Sequence, residues 1–264
     1  MAPSPIHDET IHNEAAALAR GWHAVAMAAE IGDEPVRVRL LGNDWVLARI
    51  DGRIMAFVDR CPHRLAPLSA GHVADDRIVC PYHGWEFGPD GRATRIPSLR
   101  TTDRVPPRAC LTPPAGITER YGLVWLAPEP PVCALHEFPE WDDPACTRAW
   151  NEPRRTAVSA VQLTDNFPMT GARLAILFVC QPEEDGSTRV YKLMARRGYE
   201  ETPEGLAALI AYEDDVLTED LAVLGAYHSM SLPVDARAEV HAPSDKLSVA
   251  YRRVLTELLE GAPS

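Results

Sequence analysis

The chain has 264 residues, 46% hydrophobic and 24% charged, a globular composition long enough for one large or two small domains. Its formal net charge of −12 argues against nonspecific binding to nucleic acid, and 24 of its 26 basic residues are arginine, which reads as nucleotide-composition bias. No apolar run approaches the ~20 residues that a membrane helix requires. Near the start, Asp8, Glu9 and Glu14 stand where a signal peptide would be basic and then apolar, and Arg20 and Arg37 form no twin-arginine pair. The expectation is a cytoplasmic protein without a membrane anchor.

In chain order, residues 1–20 form a polar lead with a short helical pattern at 13–20. From Val36, apolar residues alternate with Arg37 and Arg39, and two further apolar runs follow, at 45–49 and 54–58. Turn signals at Gly42-Asn43-Asp44 and Asp51-Gly52 separate them, which predicts a small antiparallel β domain. Asp90-Gly91 marks another turn, and 121–126 reads as a closing strand. Six prolines between 128 and 153 predict an extended linker. Beyond it, 174–181 and 189–197 read as strands joined through Glu183 to Gly186, and 203–214 and 219–229 as helices. A final helix starts near Ser244 or Asp245, presents Leu247, Tyr251, Val254, Leu255, Leu258 and Leu259 on one face, and stops at Gly261. The predicted fold is thus an all-β domain (21–127) followed, after a linker (128–153), by a small α+β domain (154–264).

Cys61-Pro62-His63 and, after sixteen intervening residues, Cys80-Pro81-Tyr82-His83-Gly84-Trp85 carry the chemistry. Two thiolates and two imidazoles in a C-x-H … C-x2-H pattern suit a 2Fe-2S centre of the Rieske type, in which two histidines replace two cysteines on one iron. Imidazoles bring less negative charge than thiolates, so such clusters reduce at roughly −150 to +300 mV against about −400 mV for plant-type ferredoxins. Cys61, His63, Cys80 and His83 are therefore the candidate cofactor-binding and metal-ligating residues, and no catalytic residue is assigned. Pro62 and Pro81 stiffen the turns, and Gly84 allows close backbone approach. A tetrahedral Cys2His2 zinc site is the competing reading, but zinc motifs keep their cysteines together and their histidines together, whereas each half here mixes the two. Cys110, Cys133, Cys146 and Cys180 show no C-x-x-C spacing and are expected as free thiols.

Around these ligands, Gly21-Trp22-His23, Gly52 to Ala56, Asp59-Arg60-Cys61-Pro62-His63-Arg64, Ala66 to Ser69, Cys80 to Phe87 and Gly91-Arg92 resemble the Rieske domain of the aromatic-ring-hydroxylating oxygenase alpha subunits. The respiratory and photosynthetic Rieske proteins usually add a disulfide cysteine to each loop and a membrane anchor, and this sequence shows neither. The resemblance implies a second, helix-grip-like domain holding a mononuclear ferrous iron with two histidines and a carboxylate, drawn from an Asn-x-x-Asp-x-x-His-x4-His segment. Thr164-Asp165-Asn166-Phe167-Pro168 resembles the start of that segment, which puts Met169 at its bridging Asp, Ala172 at its first His and Leu177 at its second. None of the three can bind iron. Later histidines, His136, His228 and His241, form no His-x4-His pair, and His7 and His12, which have that spacing, lie in the lead. Asp220 falls where the family's third ligand would be and, without its histidines, reads as an exposed helix acid, as do Asp214 and Asp215. The second domain is also short for an oxygenase.

In the family, one chain's Rieske centre feeds the iron of its neighbour in a head-to-tail trimer. The resemblance therefore implies an electron-transfer or structural subunit of a heteromeric Rieske-type oxygenase, with a 2Fe-2S cluster and without its own mononuclear iron. A reductase or ferredoxin would supply electrons, and a paralogous oxygenase subunit in a trimer-like assembly would use them to hydroxylate or demethylate a small organic substrate. No nucleic-acid or membrane partner is expected. Two alternatives stay open: a self-sufficient monooxygenase with iron ligands among His136, His228, Glu219 and Asp220, and a cluster-bearing scaffold.

Overall fold

The computed structural model describes residues 10–100, 102–166, 174–197, 202–227 and 231–260. The chain divides into two compact units, one spanning Ala19–Pro131 and the other combining the residues up to Leu18 with those from Val132 onward. The first described strand, β1 (Thr10–Ile11), belongs to the second of these.

The Ala19–Pro131 unit is built from three small antiparallel sheets. β3 (Val36–Leu40), β4 (Asn43–Ile50) and β5 (Arg53–Val58) follow one another as a meander, and the alternation in β3 turns Val38 and Leu40 into the core while Arg37 and Arg39 pair with Asp44. Its two turns are Leu41-Gly42 (φ 50° and 73°) and Asp51-Gly52 (φ 51° and 70°). Both central residues are left-handed in each, the turn whose twist matches that of the strands it joins. Asn43 and Asp44, predicted as turn, accordingly lie in β4. β6 (His72–Ala74), β7 (Arg77–Val79), β8 (Glu86–Phe87) and β9 (Ala93–Arg95) pair in that order. β10 (Gly116–Arg120), β11 (Leu123–Ala127) and β2 (His23–Met27) form the third sheet, with Tyr121-Gly122 (φ 57° and 72°) as another such turn, so the closing strand starts two residues later than predicted. Val46, Ile50, Phe57, Leu68, Ile78, Phe87 and Leu111 make one core, and Cys61 and Cys80 belong to it.

In the other unit, β14 (Leu174–Glu184) and β15 (Ser187–Arg197) form a long hairpin, and β12 (Cys146–Trp150) and β13 (Arg154–Thr156) pair in succession along the far edge of β15. α1 (Ala160–Asn166) and α2 (Pro203–Leu224) cover the sheet through Leu163, Leu217 and Leu224, which pack with Val158 and Val190. A mostly β unit followed by a small α+β unit is thus the architecture.

Several elements differ from the sequence-based expectation. Cys146–Trp150, inside the predicted linker, is a strand. The helices predicted at 203–214 and 219–229 are one continuous α2, because 214–219 contains no Gly or Pro and Leu217 is buried against the sheet. Thr202 caps it, its Oγ1 accepting from Gly205 N at 3.1 Å. After β16 (Leu232–Pro233), α3 (Lys246–Leu259) buries Leu255 of the predicted apolar face and half-buries Tyr251, Leu258 and Leu259, but it leaves Leu247 and Val254 exposed and turns Arg252 inward beside Leu255. The fully buried Arg252 is held by Glu239 at 2.7 Å. The lead is also tied down: β1 pairs with β16, and Asn13, 1% exposed, places its amide nitrogen 2.9–3.0 Å from Glu184 O, Ser187 O and Thr188 Oγ1.

Candidate metal centre

The two Cys/His loops close by the same hydrogen-bond pattern. Cys61 N–H donates to Ala66 O at 2.9 Å and Leu65 N–H to Cys61 O at 2.9 Å; in the second loop Cys80 N–H donates to Trp85 O at 2.8 Å and Gly84 N–H to Cys80 O at 3.1 Å. Each loop therefore turns back on the fourth residue after its cysteine, in left-handed backbone: Leu65 at φ 62° and Gly84 at φ 64°. Glycine adopts this conformation freely, whereas a side chain there costs about 1–2 kcal/mol, so the first loop holds Leu65 in a strained turn.

Packing fixes both loops from beneath. The Asp59 carboxylate, 8% exposed, accepts Ser69 N–H at 2.8 Å and Ser69 Oγ–H at 2.5 Å, which clamps the two ends of the first loop together. Behind the second loop sits Gly71, where a Cβ would fall 2.0 Å from Val79 O and 3.2 Å from Pro81 Cδ, so only glycine lets the chain pass. Asp59 and Ser69 were legible only as parts of the family resemblance; their clamp is a contact across ten residues that no spacing rule announces.

Between these supports the four candidate ligands separate by chemistry. Cys61 and Cys80 are buried at 1% and 3% exposure, and their thiols touch. Burial pushes the Cys61 thiol up to about 11, and the neighbouring Cys80 adds to this, while the N–H groups of His63 and Arg64, which donate to the sulfur, pull the other way. A thiol so reluctant to ionise as Cys61 keeps its proton until a cation replaces it, and amide donors aimed at sulfur then stabilise the bound thiolate. His63 and His83 lie at the surface with ring centroids 4.8 Å apart. Partial desolvation, with the charges of His83 and Arg64, lowers the His63 pKa, favouring the neutral imidazole that a metal needs. Trp85 stacks on His63 at 4.6 Å and 9° from parallel, and Tyr82 leans on His83 at 3.9 Å. Two sulfurs inside and two imidazoles outside fit a Rieske-type 2Fe-2S cluster, whose irons each take a like pair of protein ligands. All six cysteines are free thiols.

The positions that matter to the second unit are placed unevenly. Met169, Ala172, His228 and His7 lie outside the described residues. Leu177 is 4% exposed in β14, opposite Leu193 of β15. Asp220 is half-buried on α2, and Glu219, Asp215 and His136 are exposed. Asp214 is not the exposed acid expected: it accepts Asn151 Nδ2 at 2.6 Å and stands 3.6 Å from Arg154. Beside it, Glu213 and Lys192 form a buried pair at 2.6 Å. Among the described residues, no three His, Cys, Asp or Glu side chains gather as a single bound ion would require. None of the helices in them is long and apolar enough to cross a membrane.

The family model of the Rieske [2Fe-2S] domain matches residues 21–107, and that of the vanillate O-demethylase oxygenase C-terminal domain matches residues 115–261. Methylxanthine N1-demethylase NdmA of Pseudomonas putida is 24% identical over 329 positions, covering 95% of this chain and 92% of its own length. The vanillate O-demethylase oxygenase subunit of Pseudomonas sp. is 36% identical over 126 residues, which is 46% of this chain and 34% of that one. Among solved structures, Pseudomonas putida NdmB superposes with a TM-score of 0.84 at 21% identity, over 98% of this chain and 95% of that one, a likeness of fold. With 264 residues spread over 329 aligned positions, at least 65 positions in the NdmA alignment have no counterpart here, so the shortening is internal. A Rieske domain implies a 2Fe-2S cluster. The chain belongs to the Rieske non-heme iron oxygenase family, as a short member with a vanillate O-demethylase-type C-terminal domain.

Proposed function

We propose that Cys61, His63, Cys80 and His83 hold the 2Fe-2S cluster and that the chain is the electron-transfer, or structural, subunit of a heteromeric Rieske-type oxygenase. When bound, the cluster accepts and passes on single electrons. The protein's own part is to bury the sulfur side, aim amide N–H groups at it, and leave the imidazole side open to redox partners. Electrons come from a reductase or ferredoxin and leave for the mononuclear iron of a paralogous chain, where a small organic substrate is hydroxylated or demethylated.

Leu177 carries this reading. At the place of the second iron-binding histidine of the resemblance stands an apolar side chain, buried opposite Leu193 in the β14–β15 hairpin. The internal shortening relative to NdmA supports it further. Iron analysis of the purified chain tests it: about two irons per chain and no turnover alone are expected, with turnover appearing when an iron-bearing partner chain is added. About three irons per chain with independent hydroxylation would overturn it in favour of a second reading, a self-sufficient monooxygenase. That reading has its own support in the similarity to a demethylase across 92% of its length.

A further inference from the structure

A histidine that binds a metal is ordinarily steadied from behind, its second ring nitrogen donating to a carboxylate or a carbonyl that fixes the plane of the ring. His63 and His83 lie at the surface, and among the described residues neither ring makes a hydrogen bond to the protein. What the two rings meet instead is aromatic. The Trp85 indole lies flat on the His63 ring, with centroids 4.6 Å apart and planes 9° from parallel, and Tyr82 leans on His83 at 3.9 Å and 39°.

These two contacts are not equivalent. Trp85 is half-buried, packs against the core that includes Phe57, Leu68 and Ile78, and stands 6.3 Å from the ring of the fully buried Phe87. Its carbonyl accepts the Cys80 N–H at 2.8 Å, so one residue closes the second loop and lies across the histidine of the first. Tyr82 is 62% exposed and adjoins His83 in sequence, so its contact ties nothing across the centre. A stacked aromatic pair is favourable beyond its buried area, and a ligand ring locked by packing keeps its aim at the metal.

We propose that Trp85 is the positioning residue of the centre: by stacking on His63 it holds that imidazole toward the iron, the part that a hydrogen-bonded carboxylate plays at other metal sites. The proposal rests on the assignment of the cluster to Cys61, His63, Cys80 and His83. Trp85 acts through His63 and touches no reacting atom. The two imidazoles accordingly differ in standing, His63 being held across the two loops and His83 only within its own. Loss of the indole loosens one protein ligand and leaves the other three as they were.

Two readouts on the reconstituted holoprotein test this, and neither requires turnover. One is the set of histidine nitrogen couplings of the reduced cluster in pulsed EPR, and the other is the rate at which excess bipyridyl, a ferrous-iron chelator, strips the reduced cluster. In Trp85→Leu the cluster should form, one of its two histidine nitrogen couplings should shift while the other stays, and iron should be lost about tenfold faster than from the wild type. Trp85→Phe keeps a flat ring and should restore both readouts most of the way. Tyr82→Leu should leave both unchanged. If Trp85→Leu holds no cluster, Trp85→Met, which keeps apolar bulk without a ring, takes its place with the same result expected. A full Rieske spectrum with wild-type couplings and wild-type iron loss in Trp85→Leu would overturn the proposal alone. So would equal changes in Trp85→Leu and Trp85→Phe, or a change as large in Tyr82→Leu. A wild-type chain reconstituted with iron and sulfide that shows no Rieske spectrum would overturn the cluster assignment and the proposal with it.

Discussion

Cys61 of the first unit and Lys192 of the second are both buried, at 1% and 6% exposure, yet their surroundings answer different needs. Lys192 Nζ is consumed by its own fold, donating to the Glu213 carboxylate at 2.6 Å and to the Glu213 carbonyl at 2.9 Å. Nearby, Asn151 is taken up by Asp214, and Tyr191 donates to Gln181 at 2.6 Å. Around Cys61, burial and the neighbouring Cys80 thiol oppose ionisation while two amide N–H groups donate to the sulfur, a mixture that pairs no charge with an opposite one. Opposite charges that face one another hold a fold together, whereas thiols gathered beside amide donors and imidazoles form a candidate metal centre.

The sharpest way to break this contrast is at the loops. Cys61→Ser or His83→Ala should abolish the visible absorption and EPR signal of the reconstituted cluster, since neither replacement restores the lost iron bond. A full signal in either variant would remove that residue from the ligand set.

In the second unit the expected effect is on stability alone. Lys192→Met leaves the Glu213 carboxylate buried without a counter-ion and should cost about 3–5 kcal/mol in urea unfolding, with the cluster spectrum intact. Adding Glu213→Leu should recover most of that loss, because the unpaired charge is gone. Recovery would mark the pair as structural, and failure to recover would show that Glu213 has another role.

Two smaller effects sharpen the first unit. Gly71→Ala sets a methyl 2.0 Å from Val79 O, and the shift this forces should cost about 1–3 kcal/mol and broaden the cluster's EPR lines. The smallest effect is that of pH on Glu86. The hydrogen bond from Arg95, opposed by burial and assisted by Arg77, holds its carboxyl below the usual 4.5. A depressed folded-state pKa gives stabilisation that is complete above the unfolded value and lost as pH falls through the folded one. Between about pH 6 and about pH 3.5, the urea midpoint of the wild type, followed by tryptophan fluorescence, should therefore fall further than that of Glu86→Gln.

Much of the first unit was legible because its information is local. Alternation in β3 and the Gly42 and Gly52 turns announced the meander, and the ligand pattern sits in two short runs, 61–63 and 80–83. The second unit resisted because its decisive contacts are distant in sequence. Asn13 binds the β14–β15 turn across more than 170 residues, and Lys192 finds Glu213 across 21. In α3 the apolar face was read from a helical period that also fits Arg252, and only the packed structure shows that the arginine goes inside.

The amino-acid order by itself determined the donor types, their spacing and the turns that present them, since each depends on residues a few positions apart. Only the tertiary structure decided that the thiols are buried while the imidazoles stay at the surface, that Asp59 and Ser69 clamp the first loop, and that the lead folds with the far end of the chain. Burial and long-range pairing belong to the packed whole, because a side chain's solvent and its partner are set by segments that no local rule can name.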